Sequence, residues 1–398
     1  MTLEIGNVIE LEVTNVANGG FCIARHEGQV VFVRHALPGE KVRAEVTDIT
    51  KKFLRADTVE VLQSSEHRIQ PPCDYAGVCG GCDWQHSELT YQRELKSAVV
   101  REQLGHLAKI EHVNGQPLSE FAVEAMSADE TGLQWRTRNR FRRIADLGVG
   151  MQMARSHSVI EIDDCLIAAP GSVELAKSAL GVGEGDISTV TTSLGKQVIV
   201  DPRNGPIVDE VVGDRRWHIH AASFWQVHKL APEVFVETVK SMANLTENET
   251  LLDLYAGAGL FAASLAGEVG EDGEVIAVES GIDAMRDARR SCSDLPQLDL
   301  ITADVTKWLA ANSAEPFDVI VLDPPRAGAG QDNVATVAKM AQRAIVYVAC
   351  EPSALGRDTA VLLEHGWELT ELRAFDAFPM TSHVECIALF TKASAKVS

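Results

Sequence analysis

Hydrophobic and polar residues alternate along the first 63 residues of the chain, in the period of two that is typical of β-strands. Turn sequences such as Asn18-Gly19-Gly20 and Pro38-Gly39 separate the alternating stretches. The pattern predicts five strands, at residues 7–13, 21–25, 29–34, 41–48 and 53–62. Five short strands in so small a segment predict a closed or nearly closed barrel of the OB type. Such barrels often bind nucleic acid, although a purely structural role fits the pattern nearly as well.

The pattern changes twice further along the chain. Residues 64–220 begin with a loop broken by Pro71-Pro72, continue with a helical repeat of apolar residues over 87–108, and then mix strands with polar segments. From about residue 221, strands and helices alternate, which is typical of a doubly wound α/β domain. We therefore predict three domains, at residues 1–63, 64–220 and 221–398.

Length and charge exclude several classes of protein. The chain has 398 residues, enough to bury large cores without disulfide bonds, and a formal net charge of −21. That charge excludes a protein that coats nucleic acid through bulk positive charge, but not one with a local basic surface. No apolar run reaches the roughly 18–20 residues of a transmembrane helix. We expect a cytoplasmic protein without membrane contact, whose eight cysteines are not paired in disulfides.

Three cysteines lie close together in the loop that follows residue 72. They form the pattern C-x5-C-G-G-C and are Cys73, Cys79 and Cys82. Three thiols in ten residues favour a shared metal centre over inert buried thiols. Tetrahedral zinc and a [4Fe–4S] cluster both take four soft ligands, and the spacing alone leaves both open. Cys165 is the best candidate for the fourth ligand, with His67 and His86 as alternatives.

The segment 131–160 is strongly basic within an acidic chain, with six arginines against one acid, Asp146. Four of the arginines alternate along one predicted strand and would share one of its faces, namely Arg136, Arg138, Arg140 and Arg142. Guanidinium groups beside the aromatic residues Trp135 and Phe141 suit phosphates and unstacked bases. Because its charge opposes that of the whole chain, we predict that this face binds RNA or another polyanion. The alternative is a solvated charged strand.

Residues 251–325 have the pattern of a nucleotide-binding domain. A hydrophobic strand leads into a turn at Gly257 and Gly259, where glycine lets the backbone approach a ligand. The second strand ends at Glu279, a carboxylate that can accept hydrogen bonds from both ribose hydroxyls. The next two strands lead to Asp304 and to Asp323-Pro324-Pro325. A dinucleotide-binding domain would also have the glycines, but the ordered acids that end in Asp-Pro-Pro favour S-adenosylmethionine.

Two further residues adjoin strands of this domain. Cys350 follows the fifth strand, at the edge where doubly wound sheets bind ligands. Glu385 begins the last strand among apolar neighbours, which would raise the pKa of its carboxyl. An inert thiol and a surface acid are the commoner roles of such residues taken singly. The Asp323-Pro-Pro sequence at the neighbouring strand end makes Cys350 a candidate for chemistry.

Taken in order, these motifs resemble those of the RNA uracil-5-methyltransferase family over nearly the whole chain. The N-terminal barrel resembles a TRAM domain, and C-x5-C-G-G-C with the later Cys165 resembles the iron–sulfur motif of the family. The sequences Asp-Leu-Tyr-Ala-Gly-Ala-Gly, Leu-Asp-Pro-Pro-Arg-Ala-Gly, Cys-Glu-Pro-Ser-Ala-Leu-Gly-Arg-Asp and Ser-His-Val-Glu resemble its methyltransferase signatures. The resemblance implies an α/β fold, with a Rossmann-like class I methyltransferase domain after an OB-like TRAM barrel and a central α+β iron–sulfur domain.

The resemblance also implies roles for individual residues. Cys350 would be the nucleophile and Glu385 the base that removes a proton, while Asp323 and Gln226 would lie beside the cofactor and the target base. Contacts to S-adenosylmethionine would come from the glycine turn and the strand ends, at Tyr255, Gly257, Glu279 and Asp304. A [4Fe–4S] cluster would be held by Cys73, Cys79, Cys82 and Cys165.

The chain departs from the family pattern at two places, next to the nucleophile and in the glycine turn. The residue after the nucleophile is usually asparagine but here is Glu351, whose carboxylate would raise the pKa of the thiol if it pointed inward. The glycine turn usually has cysteine and asparagine where this chain has Ala256 and Leu260. Leu260 removes one polar contact that the cofactor would otherwise receive.

The resemblance implies an enzyme that forms 5-methyluridine through a covalent adduct between Cys350 and carbon 6 of uracil. It favours ribosomal RNA over transfer RNA as the partner, and no obligate protein partner is evident. Amino-group methyltransferases of nucleic acids also use Asp-Pro-Pro, but usually with an aromatic residue next, where this chain has Arg326. A non-catalytic RNA-binding cluster protein is a third hypothesis, which Glu351 and Leu260 keep open.

Overall fold

The computed structural model describes residues 3–128, 131–144, 148–179, 185–200 and 205–393. Asp146, the acid counted in the arginine-rich segment, lies outside these ranges. Among the helices within them, none combines the length and the apolar character that a membrane span requires.

The first 63 residues form a six-stranded sheet in the order β1-β5-β6-β4-β3-β2. Its strands are β1 Val8–Glu12, β2 Asn15–Ala17, β3 Phe21–His26, β4 Gln29–Arg34, β5 Lys41–Ile49 and β6 Phe53–Gln63. Alternate side chains, among them Val31, Val42 and Leu54, turn inward and form a separate core. The alternation predicted five of these strands to within one residue at each end. It missed β2, whose three residues are too few to establish a period.

The central part of the chain contains a long helix, a five-stranded sheet in the order β11-β10-β9-β12-β13, and two short hairpins. Its elements are α1 Leu89–Leu107, β7 His112–Val113, β8 Gln116–Pro117, a single 3-10 turn at Leu118–Glu120, β9 Arg138–Ile144, β10 Gly148–Gln152, β11 Val159–Glu161, α2 Ser172–Ser178, β12 Ile187–Thr191, β13 Gln197–Val200, β14 Ile207–Val212 and β15 Arg215–His220. Helix α1 lies within the helical repeat predicted at residues 87–108.

The remaining chain alternates strands and helices around a seven-stranded sheet in the order β18-β17-β16-β19-β20-β22-β21. Its elements are α3 Ala231–Ala243, β16 Thr250–Leu254, α4 Leu260–Leu265, β17 Glu274–Glu279, α5 Ile282–Ser291, β18 Leu298–Thr302, α6 Val305–Asn312, β19 Phe317–Leu322, α7 Gln331–Met340, β20 Ala341–Ala349, α8 Pro352–Glu364, β21 Trp367–Phe375 and β22 Glu385–Lys392. Strands β16 to β20 pair in parallel, whereas β22 is antiparallel to β20 and β21. This is the predicted doubly wound arrangement.

Both faces of this sheet are buried under helices and loops. Successive side chains of each strand point to opposite faces, so each strand contributes to two cores. Leu252 and Ile320 belong to the core on one face, and Leu251 and Val319 to the core on the other. Strand β16 lies between β17 and β19, so the chain reverses its direction of winding there. The carboxyl ends of these strands flank the crevice in which doubly wound sheets bind their ligands.

Helix α1 fixes the segment that leads into β22. Lys96 and Asp376 are fully buried and form an ion pair, and Lys96 Nζ also donates a hydrogen bond to the Phe378 carbonyl at 3.1 Å. The Gln92 side chain accepts a hydrogen bond from Met380 N at 2.9 Å and donates one to the Trp84 carbonyl at 3.1 Å. The central part of the chain therefore holds the residues just before Glu385 in place.

Candidate active site

The turn after β16 brings backbone N–H groups to the crevice. Tyr255, Gly257 and Gly259 all have positive φ angles, of 62°, 57° and 79°, which turn the chain sharply into α4. Such a φ is strained for tyrosine but free for glycine. A side chain built at Gly257 would meet no atom within 4 Å, so the space beside this turn is open. The turn is therefore shaped to receive a ligand.

Glu279 ties this turn to the end of β17. One carboxylate oxygen accepts a hydrogen bond from Gly257 N at 3.1 Å, and the other accepts from Gly281 N at 2.5 Å. The carboxylate is thus held at the crevice by backbone donors, where its remaining lone pairs can accept from hydroxyl groups. Its place beside the turn agrees with the ribose contact predicted from the sequence.

Tyr255 and Asp304 lie on the same side of the crevice. The Tyr255 hydroxyl accepts a hydrogen bond from Asn333 Nδ2 at 3.4 Å, and burial, together with the charges of Asp358 and Asp304, raises the pKa of the phenol. Asp304 is the N-cap of α6, since its carboxylate accepts from Lys307 N at 3.0 Å. One carboxylate oxygen of Asp304 is therefore occupied in fixing the start of this helix.

The buried carboxyl group of Asp253 and the half-buried carboxyl group of Asp323 lie behind the turn. Asp253, near the end of β16, is fully buried and accepts a hydrogen bond from Ala262 N at 2.8 Å, while its second oxygen has no partner among the described residues. Burial, with smaller contributions from the charges of Asp323 and Glu279, raises the pKa of Asp253 to about 8. Burial also raises the pKa of Asp323 to about 7. The pKa values of both carboxyl groups thus lie close to neutral pH.

Cys350, Glu385 and Asp323 are brought together by three neighbouring strands. Cys350 follows β20, Asp323 follows β19, and Glu385 is the first residue of β22 and is only 3% exposed. Burial, with smaller contributions from the charges of Glu385 and Asp323, raises the pKa of the Cys350 thiol to about 12, while Arg326 acts in the opposite direction. Burial likewise raises the pKa of Glu385 well above its ordinary value. The thiol therefore has two carboxyl groups and one guanidinium in its immediate surroundings.

Glu351, the departure next to Cys350, is bonded to the start of α8 and to the barrel. Its Oε1 caps α8 by accepting from Ser353 N at 3.3 Å and from Ser353 Oγ at 2.9 Å. The same oxygen accepts a hydrogen bond from Asn18 Nδ2 of the barrel at 2.6 Å. Its hydrogen bonds thus hold Glu351 at the start of α8 and against the barrel, while the charges that act most on the pKa of Cys350 are those of Glu385 and Asp323.

The barrel reaches the same site through the turn between β2 and β3. Gly20 has a φ of 82°, and a Cβ atom there would lie 2.9 Å from Ser382, so only glycine permits this approach. The Gly20 carbonyl accepts from Trp84 Nε1 at 3.3 Å, and Asp83 accepts from both the backbone and the hydroxyl of Ser382 at 3.1 Å. Ser382 lies three residues before Glu385, so the barrel, the cysteine loop and the start of β22 meet here.

Gln226 is the sequence-predicted residue with the least structural support. It is 9% exposed and lies in the segment between β15 and α3. Within the described ranges, no side-chain hydrogen bond joins it to the carboxyl groups or to Cys350. Its proposed contact with the cofactor and the target base stays a prediction.

The four cysteines predicted as metal ligands lie in one region. Cys73, Cys79 and Cys165 each raise the pKa of Cys82, and burial, the largest cause, brings it to about 12. Gln85 Nε2 donates to the Cys82 sulfur at 3.3 Å, and Gly81 N donates to the Cys79 sulfur at 3.4 Å. Among the described residues, however, no three His, Cys, Asp or Glu side chains are arranged to hold a metal ion.

The arginine face differs from its prediction in two ways. Arg136 precedes β9, because its backbone pairs with Ile167 and Ala169 and not with the sheet. Arg138 has a side chain only 12% exposed, which is bonded to Glu210 at 3.2 Å and to two backbone carbonyls. Arg140 and Arg142 do lie outward on β9, but both pair with Asp186. The four guanidinium groups therefore do not form one open row.

Sequence reasoning missed three features of this region. Asp253 begins the Asp-Leu-Tyr-Ala-Gly-Ala-Gly signature but received no role of its own, although a charged residue in a buried strand is itself a signal. Asn18 was interpreted only as part of a turn. His383, within Ser-His-Val-Glu, also received no role; its imidazole lies 3.5 Å from the guanidinium of Arg326, and burial lowers its pKa.

Comparison with known proteins identifies relatives over the whole chain. Residues 3–59 match the TRAM domain, residues 229–350 the methyltransferase small domain, and residues 311–393 the tRNA (uracil-5-)-methyltransferase family. An uncharacterized RNA methyltransferase of Streptomyces avermitilis is 39% identical, covering 98% of this chain and 99% of the relative. The 23S rRNA (uracil(1939)-C(5))-methyltransferase RlmD of Shewanella sediminis is 30% identical, covering 96% of this chain and 95% of the relative.

A solved structure shares the fold. The tRNA (uracil-54, C5)-methyltransferase of Pyrococcus abyssi, determined in complex with S-adenosyl-L-homocysteine, is 22% identical and superposes with a TM-score of 0.73. The match covers 96% of this chain and all of that chain. The TRAM barrel followed by a Rossmann-like methyltransferase domain is therefore an arrangement that solved proteins have.

Proposed function

The chain belongs to the RNA uracil-5-methyltransferase family, and we propose that it methylates carbon 5 of a uridine in ribosomal RNA through a covalent adduct with Cys350. The observation that supports the adduct is the convergence of Cys350, Glu385 and Asp323 at three adjacent strand ends. Ribosomal RNA is favoured because the Shewanella sediminis relative, named as a 23S rRNA methyltransferase, is 30% identical over nearly the whole chain, whereas the Pyrococcus abyssi tRNA methyltransferase is 22% identical.

The crevice fits S-adenosylmethionine. The open space at Gly257 can admit the cofactor, Glu279 presents a carboxylate suited to a ribose, and Tyr255 and Asp304 line the same side. The unpartnered oxygen of Asp253 lies behind the turn, where a buried acceptor favours a polar or cationic ligand. When bound, S-adenosylmethionine supplies an electrophilic methyl group.

The reaction needs a nucleophile because carbon 5 of uracil is itself unreactive. The Cys350 thiol first gives up its proton to water. The resulting thiolate adds to carbon 6, which makes the ring an enolate and carbon 5 electron-rich. After methylation carbon 5 still carries a proton. Glu385 removes that proton, and the electron pair of the broken C–H bond re-forms the ring double bond and expels Cys350. One difficult step is thereby divided into several easier ones.

The protonation states of Cys350 and Glu385 suit these reaction steps only after RNA binds. With a pKa of about 12, the thiol of the free protein is protonated at neutral pH. Glu385 is buried, and its raised pKa makes it a stronger base than an exposed carboxylate. Arg326 is the positive charge next to the thiol and favours its ionised form. We infer that closure by the target base, which must leave its stack, completes the environment for thiolate formation.

Trapping with RNA that contains 5-fluorouracil tests the adduct directly. Fluorine cannot be removed as a proton, so the wild-type enzyme should stall as a covalent complex that resists denaturing electrophoresis. Cys350→Ala should form no complex and lose more than about a thousandfold of its methylation rate. Cys22→Ser, at a buried cysteine in the barrel core, is the matched control and should behave as wild type. An amino-group methyltransferase would give no covalent complex with either protein.

We further propose that Cys73, Cys79, Cys82 and Cys165 hold a [4Fe–4S] cluster. What supports the proposal is that Cys73, Cys79 and Cys165 all act on the pKa of Cys82, so the four thiols share one region, and that C-x5-C-G-G-C with the later Cys165 resembles the iron–sulfur motif of the family. Tetrahedral zinc takes the same kind of ligands and is the alternative that metal analysis distinguishes. Such a cluster would fix the cysteine loop beside the barrel.

Metal analysis of protein purified without oxygen tests the cluster. We expect about four irons per chain and little zinc. Cys73→Ser and Cys165→Ser should each lose most of the iron. Cys22→Ser is the control, since its hydroxyl can still donate to the Ala36 carbonyl as the buried thiol does. A finding of one zinc per chain and no iron would contradict the cluster and indicate a structural zinc site instead.

A further inference from the structure

A cleft of about 350 Å³ lies between the barrel and the cysteine loop. Its lining includes Gly20, Phe21 and Arg34 from the barrel, Asp83 from the cysteine loop, and Gln152 and Arg155 from the sheet that holds β9. The volume is within the range of about 300–1,000 Å³ that is usual for ligand clefts. Three separate parts of the chain thus contribute to one concave surface.

Arginine and aromatic side chains are layered at this cleft. The guanidinium of Arg155 lies 4.6 Å from the centroid of the Phe21 ring, and that of Arg55 lies 5.3 Å from it. Arg55 also lies 5.6 Å from the Phe53 ring. Arg155 is exposed and has a φ of 51°, so it stands at a turn that presents its side chain. Unstacked RNA bases stack on both aromatic rings and guanidinium planes.

The charges of the cleft differ from those of the arginine face on β9. Arg140 and Arg142 pair with Asp186, and Arg138 with Glu210. Within the described ranges, Arg155 and Arg55 form no ion pair with a carboxylate. Arg34 is 3.5 Å from Asp57, and Asp48 and Asp83 are the other acids nearby. In a chain of net charge −21, arginines of this kind beside aromatic rings are suited to a single-stranded polyanion that also has bases to stack.

The cleft is connected to the reaction site through Asp83. This carboxylate lines the cleft and accepts hydrogen bonds from Ser382, three residues before Glu385. Gly20 contacts Ser382 as well. An RNA strand that delivers a flipped uracil to Cys350 and Glu385 would therefore have a neighbouring nucleotide within reach of this cleft.

We propose that the cleft binds one unpaired nucleotide flanking the target uridine, with its base on the Arg155–Phe21 layer and its phosphate near Arg34 and the edge of the Arg155 guanidinium. The proposal rests on the proposed function, because it takes single-stranded RNA as the substrate. It also assigns the main RNA contact to this cleft and not to the arginine face of β9. Rigid stacking there would fix the register of the strand, so that only one uridine reaches the thiol.

Binding of a short fluorescent oligouridylate tests the cleft. Arg155→Ala should weaken binding by about tenfold, through loss of stacking, and should flatten the salt dependence by about 0.7, through loss of one phosphate contact. Arg155→Lys keeps the charge but not the planar group, so affinity should fall while the salt dependence stays. Phe21→Leu should behave like Arg155→Lys. Arg25→Ala, at an exposed arginine on β3 outside the cleft, is the matched control and should bind as wild type.

Methylation separates this proposal from the proposed function. For Arg155→Ala we expect a higher KM for RNA with kcat retained, because the residue does not touch the reacting atoms. If Arg155→Ala bound the oligouridylate as tightly as Arg25→Ala does, the proposed cleft would be overturned. The same would follow if Arg155→Ala lost as much affinity for fully paired RNA as for the oligouridylate. A wild-type protein that formed no 5-methyluridine, while Arg155→Ala still weakened oligouridylate binding, would overturn the proposed function and leave the cleft standing.

Discussion

Asp253 and Glu385 are buried far more deeply than carboxylates usually are, Asp323 is half-buried, and all three lie around the crevice where the thiol is found. A buried carboxylate is costly unless it is paired or protonated. Such a cost is retained in a fold when the group must take up a proton in a reaction. Glu385 is the one of the three that begins a strand beside Cys350, which is the position that a base for the carbon 5 proton requires.

Glu385→Gln should therefore separate adduct formation from adduct release. An amide cannot take the carbon 5 proton, so the variant should form a covalent complex with ordinary RNA that accumulates after methyl transfer. Turnover should fall by about 10²–10⁴-fold. Denaturing electrophoresis measures the complex, and mass analysis of the digested adduct shows whether the methyl group is present. Normal turnover, or failure to form any complex, would exclude Glu385 as the base.

The buried acids also predict how stability depends on pH. A carboxyl group whose pKa is about 8 in the folded protein, against an ordinary value of 3.8, holds its proton in the folded state and releases it in the unfolded state. Between these values the folded protein binds more protons, so the free energy of unfolding falls as pH rises. The stabilisation is complete below the unfolded pKa and lost above the folded pKa.

Urea unfolding of the cofactor-free protein at about pH 5 and about pH 9 measures this dependence. The wild type should be less stable at the higher pH, and Asp253→Asn should remove a substantial part of the difference, since its side chain stays neutral and can still accept from Ala262 N. Asp299→Asn, at an exposed residue of β18, should leave the difference unchanged. An equal difference in all three proteins would show that Asp253 is ionised at both pH values.

How much of the site could be predicted from sequence depends on how local its determinants are. Glu279, Cys350 and Glu385 stand at strand ends, and strand ends follow from the hydrophobic pattern. Glu351 could not be placed in this way, because its partner Asn18 lies more than 300 residues away, in a turn whose packing no local pattern reports. The prediction that Arg138 lies on an open face failed for the same reason, because its partner Glu210 lies on the separate hairpin of β14 and β15.

Among secondary-structure elements, strand β9 contains arginines of two kinds. Arg138 is held within the protein by Glu210, which is 3% exposed, whereas Arg140 has a side chain 71% exposed. Alternation along a strand assigns a face, but it does not say whether that face is covered by another element. Here the β14–β15 hairpin covers the Arg138 end of the face and leaves the Arg140 end outward.

Arg138→Ala should therefore act on stability and Arg140→Ala on the surface alone. Loss of Arg138 leaves the Glu210 carboxylate buried without its cation, at a cost of about 3–5 kcal/mol. Loss of Arg140 breaks an exposed ion pair, at a cost of about 0–1 kcal/mol. Chemical denaturation measures both. If the outward end of β9 also contacts RNA, Arg140→Ala with Arg142→Ala will flatten the salt dependence of binding by about 1.4. Equal stability of the two single variants would contradict the buried pair.

For the molecule as a whole, the arrangement of three parts around one thiol was not predictable from their separate patterns. The barrel and the doubly wound sheet each follow from their own periodicity. Their contact depends on single residues: Gly20 against Ser382, and Asn18 bonded to Glu351 directly after Cys350. Glu351 also caps α8, so one carboxylate joins the barrel to the helix that begins beside Cys350. The position of the barrel is thereby coupled to the reaction site.

Substitutions at Asn18 and Glu351, the two residues of this hydrogen bond, test the coupling. Asn18→Asp places a carboxylate against Glu351, so the barrel turn should withdraw and methylation should fall by about tenfold, the equivalent of one lost charge-assisted hydrogen bond. Adding Glu351→Gln should restore activity. The glutamine amide can donate to the carboxylate introduced at position 18, which reverses the direction of the original hydrogen bond, while the glutamine oxygen still accepts from Ser353.

The control and the readouts distinguish coupling from a change of charge. Asn15→Asp adds the same charge at an exposed residue of β2 that does not face Glu351, and it should leave methylation unchanged. Thermal unfolding and cofactor affinity should be similar in all four proteins, since the substitutions lie at the surface of contact between barrel and methyltransferase domain and not in either core. The rate of covalent complex formation with RNA containing 5-fluorouracil should follow methylation, because the barrel acts on the approach of the uracil to Cys350. A double variant as slow as Asn18→Asp alone would mean that the contact at Glu351 does not couple the barrel to the thiol.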